Sequence, residues 1–485
     1  MRSPNAVIAF EVGVDHVAKF ADEPATQAEW DAWGYHLHSR ADDCADAHCS
    51  RCMLLDPGTM FTGICECCNR MLSGLANAAG ESAARHDFDC HAPLRQTQDT
   101  SGGDGDVVAY VSGAFESNAS WEYWDWSSLT AVVNSKGNGS AVLCEAHRHG
   151  VRALVNIGAS GKDSHPSIEA IAGWTNFTAN LSSAAARGPA AFAVAAWVQA
   201  QGYDGVVLDV ESNLESNRDA LTDLTWRVRR ALAVSNPNAL LGFATSILGA
   251  HTGSKGAWPH FDLVAMSHAV DWFFVMAYGL DALDEGQQAR ANAGLLKVKA
   301  GIEAYLALGV PADKVVLGAP WYGFDNTCVI GTKPDSRVCI KADAARVVRS
   351  VLPYETYPAP SISEIIAQGL ATTPVQFDEV QGSPWFNYVD NGAAATDAVM
   401  GGAVHQVWFD NPRSLSAKYE LARTMGLRGV GAFKVDFADF AAATSDASRM
   451  CAAAMWSAFT NASAADTWPF CGAHSKNKSW VQPST

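Results

Sequence analysis

The stretch Gly202-Tyr203-Asp204-Gly205-Val206-Val207-Leu208-Asp209-Val210-Glu211-Ser212-Asn213 decides how the rest of the chain is read. Val206, Val207, Leu208 and Val210 form a short apolar, β-branched run of the kind that fills a central strand buried on both faces. Along such a strand Asp209 and Glu211 share one face, about 7 Å apart, because side chains alternate and two rises separate them. Two carboxylates at the end of a buried strand are costly unless something pairs them or uses them. A bare D-x-E at a strand end otherwise reads as a loop cap or an Arg partner, so the surroundings decide.

From Val107 onward, apolar runs alternate with helical patterns. The strand candidates are Val107–Gly113, Leu129–Asn134, Val151–Gly158, Gly205–Glu211 and Leu240–Ser246. They continue with either Phe261–Ser267 or Trp272–Gly279, then Lys314–Gly323 and Gly429–Asp436. Amphipathic helices are expected at Pro189–Gln201, Arg218–Ser235, Ala291–Leu308 and Ser414–Met425, the first opening on a proline as a first helical turn allows. Repeated β–α units of this kind predict an α/β fold, a (β/α)8 TIM barrel of residues 91–460. A small α+β insertion is expected after strand 7, from Asp325 to Pro412, where the rhythm lapses. Chemistry in such barrels sits at the C-terminal ends of the strands, which is where Glu211 falls.

Composition narrows the partners. With 34 basic and 51 acidic residues the net charge is −17, which argues against nucleic acid or an anionic membrane surface. A hydrophobic fraction of 48% and a charged fraction of 18% describe a chain with a substantial core. No apolar run approaches the roughly 20 residues that span a bilayer, so no membrane insertion is expected. Sequons at Asn118, Asn138, Asn176, Asn180, Asn461 and Asn477, with an even twelve cysteines, lean toward a lysosomal or secreted protein, although the N-terminal stretch lacks the apolar core of a signal peptide.

Residues 1–90 form a cysteine-rich N-terminal extension of unreadable role, and Gln96–Asp106 reads as a polar, Gly-rich linker. Cys44, Cys49, Cys52, Cys65, Cys67 and Cys68 fall in the extension. Cys49-x2-Cys52 and Cys65-x2-Cys68 have the pair spacing of a small zinc site, while an oxidising compartment would make disulfides of them, the preferred reading. Residues 461–485 read as a C-terminal tail.

Asp204-Gly205-Val206-Val207-Leu208-Asp209-Val210-Glu211 resembles the DGxxxDxE strand of the family-18 glycoside hydrolases. Further segments resemble that family, and its di-N-acetylchitobiase-like branch in particular: Cys144–Val155, Phe273–Gly279, Val315–Cys328, Ser383–Asn391 and His405–Phe433, within a similarity from about Cys90 to Trp456. The resemblance implies a glycosidase acting on β-1,4-linked N-acetylglucosamine, in chitooligosaccharides or the chitobiose core of N-glycans. Its catalysis would be retaining and substrate-assisted, with the substrate's own acetamide as nucleophile. Glu211 would be the general acid and then base, Asp209 would hold the acetamide N–H, and Tyr278 would donate to the acetamide oxygen. Neither metal nor organic cofactor is implied. Met276, Trp321, Tyr322, Trp408, Asp410, Asn411 and Phe433 are expected to line the sugar subsites, although tryptophans are also ordinary core fillers.

Three positions depart from the family pattern. Val207 stands where many relatives carry Asp, Gly279 where they often carry Asp, and Phe433 where the eighth strand usually offers Trp. These departures keep open a non-catalytic, chitinase-like lectin that binds N-acetylglucosamine oligomers; intact Asp209, Glu211 and Tyr278 count against it. A third reading gives the biology to the N-terminal module as an adhesion or assembly domain. The resemblance also implies a Cys328–Cys339 disulfide. Cys144 is expected to pair with Cys90 or a more N-terminal cysteine, and Cys451 with Cys471.

Overall fold

The computed structural model describes residues 7–9 and 52–54 as backbone, and then 105–111, 121, 124–135, 140–160, 166–211, 215–247, 261–280, 287–342, 349–350, 362, 365, 370–390, 402–437 and 453–460. Val7–Ala9 pairs antiparallel with Cys52–Leu54. The side chains of the cysteine-rich extension, Cys90, the Cys451–Cys471 pair, the tail, and the sequons at Asn118, Asn138, Asn461 and Asn477 lie outside the described residues.

Eight strands run parallel around a closed barrel: β1 (Asp106–Val111), β2 (Ala131–Asn134), β3 (Arg152–Gly158), β4 (Gly205–Asp209), β5 (Leu240–Ser246), β6 (Trp272–Met276), β7 (Val315–Pro320) and β13 (Gly429–Phe433), with β13 paired to both β1 and β7. Between β7 and β13 comes a five-stranded antiparallel sheet of β8 (Phe324–Thr327), β9 (Arg349–Ser350), β10 (Gln376–Asp378), β11 (Ser383–Asp390) and β12 (Ala403–Trp408). The expected (β/α)8 barrel with an insertion after its seventh strand is the architecture found.

The principal helices are α1 (Ser140–Arg148), α2 (Ala184–Ala200), α3 (Arg218–Ser235), α4 (Leu295–Leu308) and α5 (Pro412–Thr424). Two sequence ambiguities are resolved by local chemistry. Phe261–Ser267 is not the sixth strand: Asp262 caps a short helix, Leu263–Ser267, by accepting the Ala265 N–H, and Trp272–Met276 takes the strand. Nor does Pro189 open its helix. The helix begins at Ala184 and runs through Pro189, forgoing one internal hydrogen bond while burying Gly188, Ala190, Ala191 and Val194.

Contacts divide the chain into two compact units, one holding Ala131–Thr245 and Ala257–Phe273, the other Thr100–Thr130, Ser246–Gly256 and Phe274–Thr485. In the first, β3, β4 and β5 are fully buried but for their ends, as both-faces-covered parallel strands must be. The start of β4 explains the Asp-Gly of the opening motif. Asp204 is buried and accepts hydrogen bonds from His147 Nε2 at 2.9 Å and from the Ala153 N–H at 2.8 Å, tying α1 and β3 to β4. At Gly205 any Cβ would lie 2.1 Å from the Leu240 carbonyl oxygen, so only glycine lets β4 and β5 approach. Asp204 therefore serves the N-terminal end of the strand, where barrel residues serve stability.

In the second unit, the insertion sheet carries a Cys328–Cys339 disulfide, with a Cα–Cα distance of 5.1 Å. Around it pack Ala289, Ala291, Trp385, Val404 and Trp408. Cys144 is also disulfide-bonded, to a partner that is not among the described side chains.

Candidate active site

The C-terminal end of β4 builds the first part of the site. Val207 and Asp209 alternate with Val206 and Leu208 along the strand, so the two share a face, and Glu211 follows two residues past the strand's end. Val207 is fully buried, Asp209 half-buried, and Glu211, just past the strand's end, exposed. β4 stops at Asp209, so Glu211 lies two residues beyond the hydrogen-bonded strand.

The neighbouring strand β3 supplies a residue the sequence reading missed. Asn156 sits in register with Val207, and Gly158 with Asp209. The Asn156 Nδ2 donates to Asp209 Oδ2 at 2.9 Å. A carboxylate can only accept, so the amide nitrogen must face it. The amide oxygen Oδ1 is buried with no hydrogen-bond partner among the described residues, an arrangement that costs about 1–3 kcal/mol. The available signal was one polar residue interrupting an apolar strand, Arg152-Ala153-Leu154-Val155-Asn156-Ile157-Gly158.

Within the other unit, aromatic rings gather at the ends of β6, β7 and β13. Tyr278, two residues past β6, is half-buried and stacks on Phe433 with centroids 5.3 Å apart and planes 24° from parallel. Tyr322 meets Tyr278 edge-on at 6.0 Å. Behind Phe433 stands Tyr110 of β1 at 5.8 Å, itself 4.5 Å from Phe274. Met276 is half-buried at the end of β6. Phe433 thus occupies the eighth strand's end as a half-buried ring stacked on Tyr278.

A second missed residue, Asn292, braces this group. Its Oδ1 accepts the Gly279 N–H at 2.7 Å and its Nδ2 donates to the Tyr322 carbonyl at 3.2 Å. Gly279 adopts φ +73°, a left-handed backbone that glycine takes at no steric cost. Lys434 follows Phe433 as a buried cation over two rings, 5.4 Å from the Phe433 centroid and 4.7 Å from that of Phe437. Its hydrocarbon stem and charge are both accommodated by aromatic faces.

Four of the residues expected to contact sugar are buried. Trp321 is buried against Phe459 and Trp456, its indole N–H donated to the Tyr419 hydroxyl at 3.2 Å. Burial pushes the Tyr419 hydroxyl well above its ordinary pKa, so it stays a donor, to the Gly431 carbonyl. Trp408 is buried in the insertion sheet, stacked on Trp385 at 5.9 Å and bonded through its N–H to Gln406. Neither ring presents the open face a sugar platform needs. Asp410 and Asn411 belong to the start of α5. Asn411 caps the helix in a reciprocal capping box with Ser414, and Asp410 is buried against the Lys418 ammonium at 2.5 Å and the Ser414 hydroxyl at 2.6 Å. Both are structural anchors of the junction between β12 and α5.

Among the described residues no group of three or more His, Cys, Asp or Glu side chains is arranged to hold a metal ion. No helix among them is long and apolar enough to cross a membrane.

Comparison with known proteins places these features in context. The family described as glycosyl hydrolases family 18 matches residues 107–438. Di-N-acetylchitobiase of Rattus norvegicus is 27% identical over 334 residues, covering 66% of this chain and 80% of that protein. The Homo sapiens di-N-acetylchitobiase is 27% identical over 344 residues, covering 66% of this chain and 76% of its own length. Among solved structures, a GH18 chitinase from Cycas revoluta in complex with (GlcNAc)3 superposes with a TM-score of 0.54 at 19% identity, over 73% of this chain and all of that one, a likeness of fold.

Proposed function

The chain belongs to the glycosyl hydrolases of family 18, and from that premise we propose that it cleaves β-1,4-linked N-acetylglucosamine in chitooligosaccharides or in the chitobiose core of N-glycans. The observation that supports the reading is the position of Asp209 and Glu211 at and just past the C-terminal end of the fourth barrel strand, Glu211 exposed and Asp209 half-buried.

In the first step the Glu211 carboxylic acid gives its proton to the glycosidic oxygen as the C1–O bond breaks. The acetamide carbonyl oxygen of the same sugar attacks C1, closing an oxazolinium ring, while Asp209 accepts the acetamide N–H and balances the positive charge. Tyr278, held in a stack with Phe433, donates to the acetamide oxygen and fixes its approach. Glu211, now a carboxylate, takes a proton from water as that water opens the ring at C1, restoring the acid and giving net retention. Phe433, Tyr322 and Met276 would line the sugar subsite as apolar walls. The disulfide at Cys328–Cys339 and the bonded Cys144 support an oxidising, lysosomal or secreted setting.

Turnover of a fluorogenic chitobioside by the wild type and by Glu211→Gln tests the reading. The amide cannot supply the proton, so the rate is expected to fall by roughly 10²–10⁴-fold while sugar binding persists. Binding without any wild-type turnover would make the protein a lectin instead.

A further inference from the structure

We propose that Asn156 is a positioning residue for Asp209: its amide holds one carboxylate oxygen and so fixes the rotamer in which that carboxylate meets the substrate's acetamide N–H. The proposal rests on the hydrolase reading above and deepens it. Three observations carry it, all within one compact unit.

Asn156 and Val207 are register partners on β3 and β4, so the amide and the end of β4 lie side by side, and the 2.9 Å bond joins them directly. Val207 is fully buried and apolar, so no second carboxylate on β4 lies between Asp209 and the strand interior to hold or share its proton. The Asn156 side chain, only 1% exposed on a strand whose neighbours are apolar, leaves its Oδ1 unpartnered among the described residues. A residue present for packing alone would be better replaced by leucine, of similar size and with no polar atom to strand. The orientation that strands Oδ1 is the one that aims Nδ2 at Asp209.

A carboxylate tethered at one oxygen keeps a single rotamer, which is what a group that must accept an N–H in a narrow direction requires. The amide does not touch the sugar in this scheme; it acts through Asp209.

The test uses the full chain and three variants, Asn156→Leu, Asn156→Ala and Asn156→Ser, with kcat and KM measured separately on the fluorogenic chitobioside and Tm recorded for each. Loss of the donor in Asn156→Leu and Asn156→Ala is expected to lower kcat roughly 10- to 100-fold with KM changed by less than about threefold, the mark of misplaced reacting groups. Asn156→Ser retains a donor hydroxyl and recovers part of kcat. Asn156→Leu keeps a Tm at or above that of the wild type, since it fills the same space without a stranded amide oxygen. Wild-type kcat in Asn156→Leu, or a kcat that simply follows Tm across the three variants, would overturn the proposal while leaving the hydrolase reading intact. Absence of wild-type turnover would overturn both.

Discussion

At the residue scale, the opening motif divides its labour along one strand. Asp204 and Gly205 serve the start of β4, and Asp209 and Glu211 its end. The glycine is as constrained as the acids: its missing Cβ is what lets the β5 backbone pass, with the Leu240 carbonyl oxygen 2.1 Å from the position a Cβ would take. The obstacle is backbone, not a side chain that can rotate away. Gly205→Ala is therefore expected to cost at least the 1–3 kcal/mol typical of overpacking, read as a lower denaturant midpoint, whatever remains of activity in the folded fraction. Asn156 and Asn292 make the complementary point. Each is a buried amide whose partners come from another strand or loop, and neither belongs to a motif.

At the element scale, the junction of β12 with α5 shows how a plausible sugar-binding sequence becomes a helix start. Trp408-Phe409-Asp410-Asn411-Pro412 has the aromatic and polar mixture of a subsite. Yet Pro412 fits a first helical position, Asn411 caps it, and Asp410 turns inward to Lys418, eight residues on. The Asp410–Lys418 pair is almost wholly excluded from solvent, with side-chain exposures of 0% and 1%. Removing one member strands the other. Lys418→Met is expected to destabilise by about 3–5 kcal/mol, whereas the double change Asp410→Leu with Lys418→Met should be much milder. A double-mutant cycle in urea checks this, and equal losses for the single and double variants would contradict it.

At the scale of the whole molecule, charge and mechanism make opposite demands on two substrates that differ only in acetylation. A net charge of −17 attracts the cationic, deacetylated oligomer more strongly than the neutral acetylated one. The proposed mechanism needs the acetamide, because the nucleophile is part of the substrate. The expected outcome is that a chitosan oligomer binds, inhibits in a salt-sensitive way, and is not cleaved, while its acetylated counterpart is hydrolysed. Cleavage of both at equal rates would contradict the assignment of the nucleophile.

What the sequence determined by itself was whatever depends on neighbours along the chain. The period of the apolar runs specified the eight-stranded barrel, and the D-x-E spacing put two acids at the C-terminal end of its fourth strand. The order of the segments carried the family. Tertiary structure alone decided which polar residues bond across neighbouring strands and which close a helix. Asn156 reaches Asp209 through strand register, Asn292 reaches Gly279 and Tyr322 through a loop return, and Trp321 and Trp408 spend their rings on the core. Those outcomes rest on contacts between distant segments, whose partners no local pattern names, and on the requirement that every buried polar group find a partner in the folded chain or bear the cost of lacking one.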